Sequence, residues 1–161
     1  RKGIEVTALK GPLSGVYDLT EEYVNARDWA GSMVGAAVIE HISTAAAVLL
    51  YSSADEGTRI VLKKITGDDL GHLNFDLEQI EKVAETREGR RRLLQIHGRF
   101  LKVVLEWPFR KDLLDGELEL LNDAYEIHRG KLAKFGIDLP AITFENSLAF
   151  KLKKMFLQTI S

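Results

Sequence analysis

Four histidines, His41, His72, His97 and His128, are the side chains best suited to move protons or hold a metal in this 161-residue chain. No two of them stand three or four residues apart, the spacing that sets two ligands on one helix face. A metal site would therefore need separate helices, and none is assigned. His41 lies in an apolar run and reads as a satisfied core or interface histidine rather than a ligand. His72 follows Gly71 and reads as a capping or solvent-facing residue. The second chemical feature is basic. From Arg87 to Lys111 there are eight Lys or Arg (87, 90, 91, 92, 99, 102, 110 and 111) against Glu88 and Glu106. Phosphates of RNA or another polyanion would be met by Arg87, Arg90, Arg91, Arg99 and Lys102. The plainer account is a solvated face, or one neutralised by the acidic stretch 68–81. Only Phe100 and Trp107 interleave with it, too few aromatics for a base-stacking platform.

Arg92 and His97 form an Arg-x4-His pair. An arginine can hold a scissile phosphate while a histidine moves a proton. On one regular helix, a separation of five turns the two about 140° apart, so they share a face only if the helix starts or bends near Gly89. There is no glycine-rich phosphate loop, no Gly-x-Ser-x-Gly and no paired-carboxylate motif. Glu21/Glu22 and Glu117/Glu119 read as helix-surface residues.

The elements that must position these groups are helical. Prolines occur only at 12, 108 and 140, which leaves long windows free of helix breakers. Asp18-Leu-Thr-Glu-Glu22 has the cap and acidic first turn of a helix start, and a helix is expected over about 20–52. Its middle is rich in small residues. Gly31, Gly35, Ala36, Ala46 and Ala47 allow a second helix to approach closely, in the core or across a dimer face. Residues 52–57 read as a turn. A helix over about 58–64 is expected to break at Thr66-Gly67-Asp68-Asp69, with Asp68 and Asp69 capping the next one. That helix buries Leu73, Leu77, Ile80, Val83 and Ala84, spaced by threes and fours. Gly89 marks a turn or bend. Leu93, Leu94, Ile96, Phe100, Leu101, Val104 and Leu105 form the next apolar face, which Trp107-Pro108 ends. A segment over 110–135 stops at Gly136, and a last amphipathic helix is expected over 144–160. The stretch Ile4–Leu9 reads as a short strand or extended arm. The expected architecture is all-α, a bundle of four or five helices over 18–161 with a short extended N-terminal arm over 1–17.

Composition sets outer bounds. Hydrophobic residues are 45% and charged residues 29%, an ordinary globular mix, and a net charge of −2 argues against a domain-wide polycationic surface. The absence of cysteine excludes disulfides, thiolate-bound metal and thiol catalysis. No apolar run approaches the ~20 residues of a membrane span, no secretory signal is visible, and a cytoplasmic setting is expected. No cofactor is implied. The expected partners are a second copy, engaged through the helix around Trp29–Leu50, and RNA or another protein.

The run Val34-Gly-Ala-Ala-Val-Ile-Glu-His-Ile42, followed by Gly67-Asp-Asp-Leu-Gly-His-Leu73, resembles the HEPN superfamily of helical bundles, nearest its mannitol-operon repressor branch, over about 20–105. That resemblance implies a dimeric helical bundle. Active members are often metal-independent ribonucleases of toxin or phage-defence systems, and inactive ones are scaffolds or RNA binders. The family's Arg-Asn…His run aligns with Ile96–Lys102, where His97, Gly98 and Lys102 replace Arg, Asn and His. Alternatively, Arg92 and His97 serve as the catalytic pair, with Leu93 in place of the polar residue. Either departure favours RNA binding or a scaffold role over cleavage. A second resemblance, around Val38-Ile-Glu-His41-Ile and His128-Arg-Gly-Lys-Leu132, is to the DinB family of metal-binding four-helix bundles. Its pattern requires a further histidine where this chain has Ala124.

Overall fold

In a computed structural model, residues 14–105 and 114–143 are described. Among them are five helices and no strand: α1 Ser14–Asn25, α2 Trp29–Ser53, α3 Glu56–Ala84, α4 Arg87–Leu105 and α5 Leu114–Ala133. The all-α bundle expected from the apolar spacing is what the chain forms. Ile4–Leu9, the Trp107-Pro108 stop and the helix over 144–160 lie outside the described residues. Residues 14–17, assigned above to an extended arm, open α1 instead.

Helix α2 is the hub. It packs on all four other helices, which explains its composition. Apolar faces are needed in several directions, so the helix carries no single stripe. Trp29–Val48 is in fact long and apolar enough to cross a membrane by length and composition alone, contrary to the expectation that no run comes near twenty residues. The small-residue stripe is used within the chain. At Gly31 an added Cβ would strike the Tyr23 ring of α1, and at Gly35 it would strike Thr20 of α1 and Phe100 of α4. The core gathers Val16 and Leu19 of α1, Val34 and Ala37 of α2, Leu73 and Ile80 of α3, Leu93 and Phe100 of α4, and Leu121 and Leu132 of α5. Near its C-terminal end α2 leaves Val48, Leu50 and Tyr51 exposed, as are Ile60, Val61 and Ile65 of α3.

The single long helix expected over 20–52 is two helices. The Asp28 amide donates to Tyr23 O at 2.9 Å and the Arg27 amide to Val24 O at 3.0 Å, a Schellman closure with Arg27 left-handed at φ 55°. Asp28 then caps α2, accepting from the Gly31 amide at 3.1 Å. A non-glycine residue at that φ costs roughly 1 kcal/mol, partly offset because glycine is freer in the unfolded chain. Arg27→Gly is expected to raise stability by about 0.5 kcal/mol, read as a higher urea midpoint at unchanged slope.

The break expected at 66–69 does not occur, and α3 runs unbroken past it. Its start is Asp55, whose carboxylate accepts from the Thr58 amide at 2.8 Å and its hydroxyl at 2.9 Å. Glycine in a helix interior costs about 1 kcal/mol, and packing along α2 overrides that cost at Gly67 and Gly71. Helix α5 stops at a second Schellman closure, with Gly136 at φ 73° and Ile137 N donating to Leu132 O at 3.1 Å. Both of these apolar residues are fully buried, which draws residues 137–140 back over the bundle.

Candidate functional site

Three of the four histidines meet in the core. His41 comes from α2, His97 from α4 and His128 from α5, and each is about 95% buried. The rings of His41 and His128 lie edge to face with centroids 4.7 Å apart, and those of His97 and His128 are 5.1 Å apart. His41 Nδ1 is 2.7 Å from Ala37 O, and His97 Nδ1 is 2.7 Å from Leu93 O. A carbonyl can only accept, so both rings carry their proton on Nδ1 and keep a lone pair on Nε2. His128 Nδ1 sits 3.2 Å from His41 Nδ1. Because the latter already bears hydrogen, His128 Nδ1 accepts, and its own proton falls on Nε2. All three Nε2 atoms are buried without a hydrogen-bond partner.

Burial sets the charge of this cluster. Desolvation lowers His41 and His97 from 6.5 to about 4, against the opposing pull of the carbonyls each ring donates to. His128 is pushed well below its ordinary value by burial, and then by the other two imidazoles. At neutral pH the cluster is three uncharged rings.

The rings line a cavity of about 140 Å³ whose remaining walls are almost wholly apolar, including Val38, Phe100, Leu121, Ala124 and Leu139. The chain after α5 covers one side, where Tyr125 donates to Pro140 O at 2.6 Å. The rest of the basic stretch lies elsewhere. Arg92 is exposed and pairs with Asp28 at 2.8 Å; it lines a separate surface depression with Lys82, Glu88 and Gln95. The structure therefore does not bring Arg92 and His97 to one site.

Arg90 donates to Ala84 O at 2.6 Å and closes the end of α3. Arg99 reaches both carboxylate oxygens of Glu22, at 2.9 and 3.0 Å, and lies over the Tyr23 ring. The acids that pair with Arg92 and Arg99 thus come from the α2 cap and from α1. Arg87, Arg91 and Lys102 are exposed. His72, on the outer face of α3, faces solvent as expected.

His41 is a core histidine, as its apolar neighbours suggested, but it is satisfied at one nitrogen only. The metal-bundle resemblance pointed to His41 and His128, and the two do meet. A third imidazole joins them from α4 rather than from position 124, where Ala124 forms cavity wall. No spacing in the sequence signals the trio, since its members sit on three helices. Their nitrogens are not gathered as a ligand set. Among the described residues, the group whose donor atoms all lie within 4.8 Å of one another is Glu40, Asp69 and His72.

Comparison with protein-family models, curated proteins and solved structures gives no match. Fold and site together define a helical bundle with a histidine-lined core cavity.

Proposed function

We propose that this chain is a binding module that takes a compact, uncharged, mostly apolar molecule into the cavity between α2, α4 and α5. The observation that carries this reading is the set of three buried, unpartnered Nε2 atoms on rings that line an otherwise apolar space. Buried polar atoms are nearly always hydrogen-bonded, and orphans in a native core ask for a missing partner. A cavity near 150 Å³ accepts a benzene-sized molecule. A hydroxyl, which both donates and accepts, can donate to one of the two imidazole lone pairs and accept from the imidazole N–H, so it satisfies two of the three Nε2 atoms. The ligand class is therefore a single ring or equivalent hydrocarbon bearing one hydroxyl.

Binding is favoured over catalysis on physical grounds. A general base works best with a pKa near the working pH, and imidazoles near 4 are too weakly basic. With Arg92 held by Asp28 and His97 enclosed, cleavage of a polyanion by that pair has little support.

The test is a titration of the full chain with phenol and with benzene, followed by the ring ¹⁵N signals of the histidines. Both should bind saturably and move His41, His97 and His128 but not His72. Phenol should bind about tenfold tighter, the worth of one hydrogen bond of ~1.4 kcal/mol. Absence of saturable binding, or equal shifts at all four histidines, would reject the reading.

A further inference from the structure

The outer face of α3, opposite the buried Leu73, Leu77 and Ile80 of the same helix, has an order of its own. Lys64, Gly67, Gly71, Phe75 and Glu78 recur by threes and fours, and Ile60 and Lys82 extend the series at either end. That spacing keeps all of them within about 40° of one direction around the helix. All are exposed. The two large apolar side chains stand bare, Ile60 at 66% and Phe75 at 51% exposure. Among the described residues, neither Lys64 nor Glu78 has an ion pair. At Gly67 and Gly71 an added Cβ would meet nothing within 4 Å, so no contact within the chain requires glycine there, although glycine weakens an exposed helix.

The series is symmetric about Gly71. Gly67 and Phe75 stand four residues to either side of it, Lys64 and Glu78 seven, and Ile60 and Lys82 eleven. A two-fold axis through Gly71, perpendicular to the helix, lays α3 of a second copy antiparallel on this one. Each position then meets its complement. Phe75 of either copy enters the space over Gly67 of the other, and Lys64 faces Glu78. The Lys82 stem covers Ile60, and the two Gly71 backbones approach closely at the axis. A parallel pairing would instead set lysine against lysine and glutamate against glutamate, which fixes the direction. We propose that this face of α3 is the interface of a two-fold homodimer. The second copy thus engages α3 rather than the small residues of α2, since Gly31 and Gly35 pack within the chain. A strip ~33 Å long is at the low end of specific interfaces, which sets the affinity in the micromolar range. The dimer uses none of the cavity's residues and does not depend on the ligand.

The experiment is sedimentation equilibrium of the full chain from about 1 µM to about 300 µM, a range that brackets the affinity of so small an interface. A monomer–dimer equilibrium is expected. Gly71→Arg, which sets two like charges and two long side chains on the axis, should leave the chain monomeric over the same range. It should still fold, because the new side chain points into open space and arginine is the better helix former; an unchanged urea midpoint of the monomer checks this. Lys64→Glu should weaken the dimer at least tenfold, since it turns two attractive pairs into repulsive ones. Glu78→Lys should do the same. The double exchange Lys64→Glu with Glu78→Lys should restore the parent affinity, a result that a merely structural effect of either change would not give. A parent chain that stays monomeric throughout would overturn the proposal. So would a dimer that survives Gly71→Arg, or one that the double exchange fails to restore.

Discussion

Acidifying the folded chain from pH 7 to 4.5 should remove about 5 kcal/mol of stability. In the unfolded chain His41, His97 and His128 take up protons near 6.5, whereas in the bundle His41 and His97 do so only near 4 and His128 is likewise held well below 6.5. Between those values the unfolded state binds more protons, so stability falls as pH falls. The contribution is complete above 6.5 and is lost on the way down to about 4. For His41 and His97 the fall from 6.5 to about 4 corresponds to roughly 3 kcal/mol apiece.

Asp76 works in the opposite sense. Burial raises it from 3.8 to about 6, so from 6 downward the folded state gains a proton first and recovers up to ~3 kcal/mol. The histidines outnumber it, and the net slope is a loss. Urea unfolding at pH 7, 6, 5 and 4.5 measures this directly. Asp76→Asn should raise stability at pH 7 and steepen the decline below it. His97→Leu should flatten the net decline by nearly half. A midpoint that is constant from pH 7 to 4.5 would mean that the three rings are not buried together. The total stability of such a domain is about 5–15 kcal/mol, so retaining three orphaned imidazoles is a substantial cost, which fits a site kept for binding rather than packing.

How much of this was legible depended on whether a signal was local. Gly136 announced the end of α5 because the left-handed position carries the residue that tolerates it best. The same closure at Arg27 carries no such mark, because arginine is not the residue a left-handed position favours, so the sequence pattern runs α1 and α2 together as one helix. Asp68 and Asp69 have the chemistry of caps, yet they sit inside α3 because the adjoining α2 holds that helix straight. The apolar faces of α3 and α4 were plain from their periodicity, and Leu73, Leu77, Ile80, Leu93, Ile96 and Phe100 are buried as that periodicity requires. The cavity was not legible. His41 and His128 are 87 residues apart, and their meeting with His97 follows from how three helices pack. Arg92 and His97, close in sequence, were separated by the turn of a single helix, which the 140° arithmetic already indicated.

The same substitution made twice in α4 should give opposite results. Gly89→Ala is expected to destabilise the bundle by about 3 kcal/mol, and Gly98→Ala to stabilise it by about 1 kcal/mol. Both glycines are helical, so alanine brings the same gain in helix propensity at each. The difference is what the methyl group meets. Around Gly98 nothing lies within 4 Å of an added Cβ. At Gly89 the Cβ would run into the carbonyl group of Val83, in the last turn of α3. That neighbour is backbone and cannot swing aside as a side chain would. Nor can the connection lengthen, because only Glu85 and Thr86 separate α3 from α4. Thr86 caps α4 by accepting the Gly89 amide at 2.9 Å, while Arg90 ties back to the last carbonyls of α3. Relieving the clash therefore means opening the α3–α4 corner, at the expense of the cap and of the contacts of Ala84 and Leu93 in the core. Paired urea melts of the two variants would decide it. Equal and small shifts would show that the corner yields, and that the close approach at Gly89 does not fix the angle between α3 and α4.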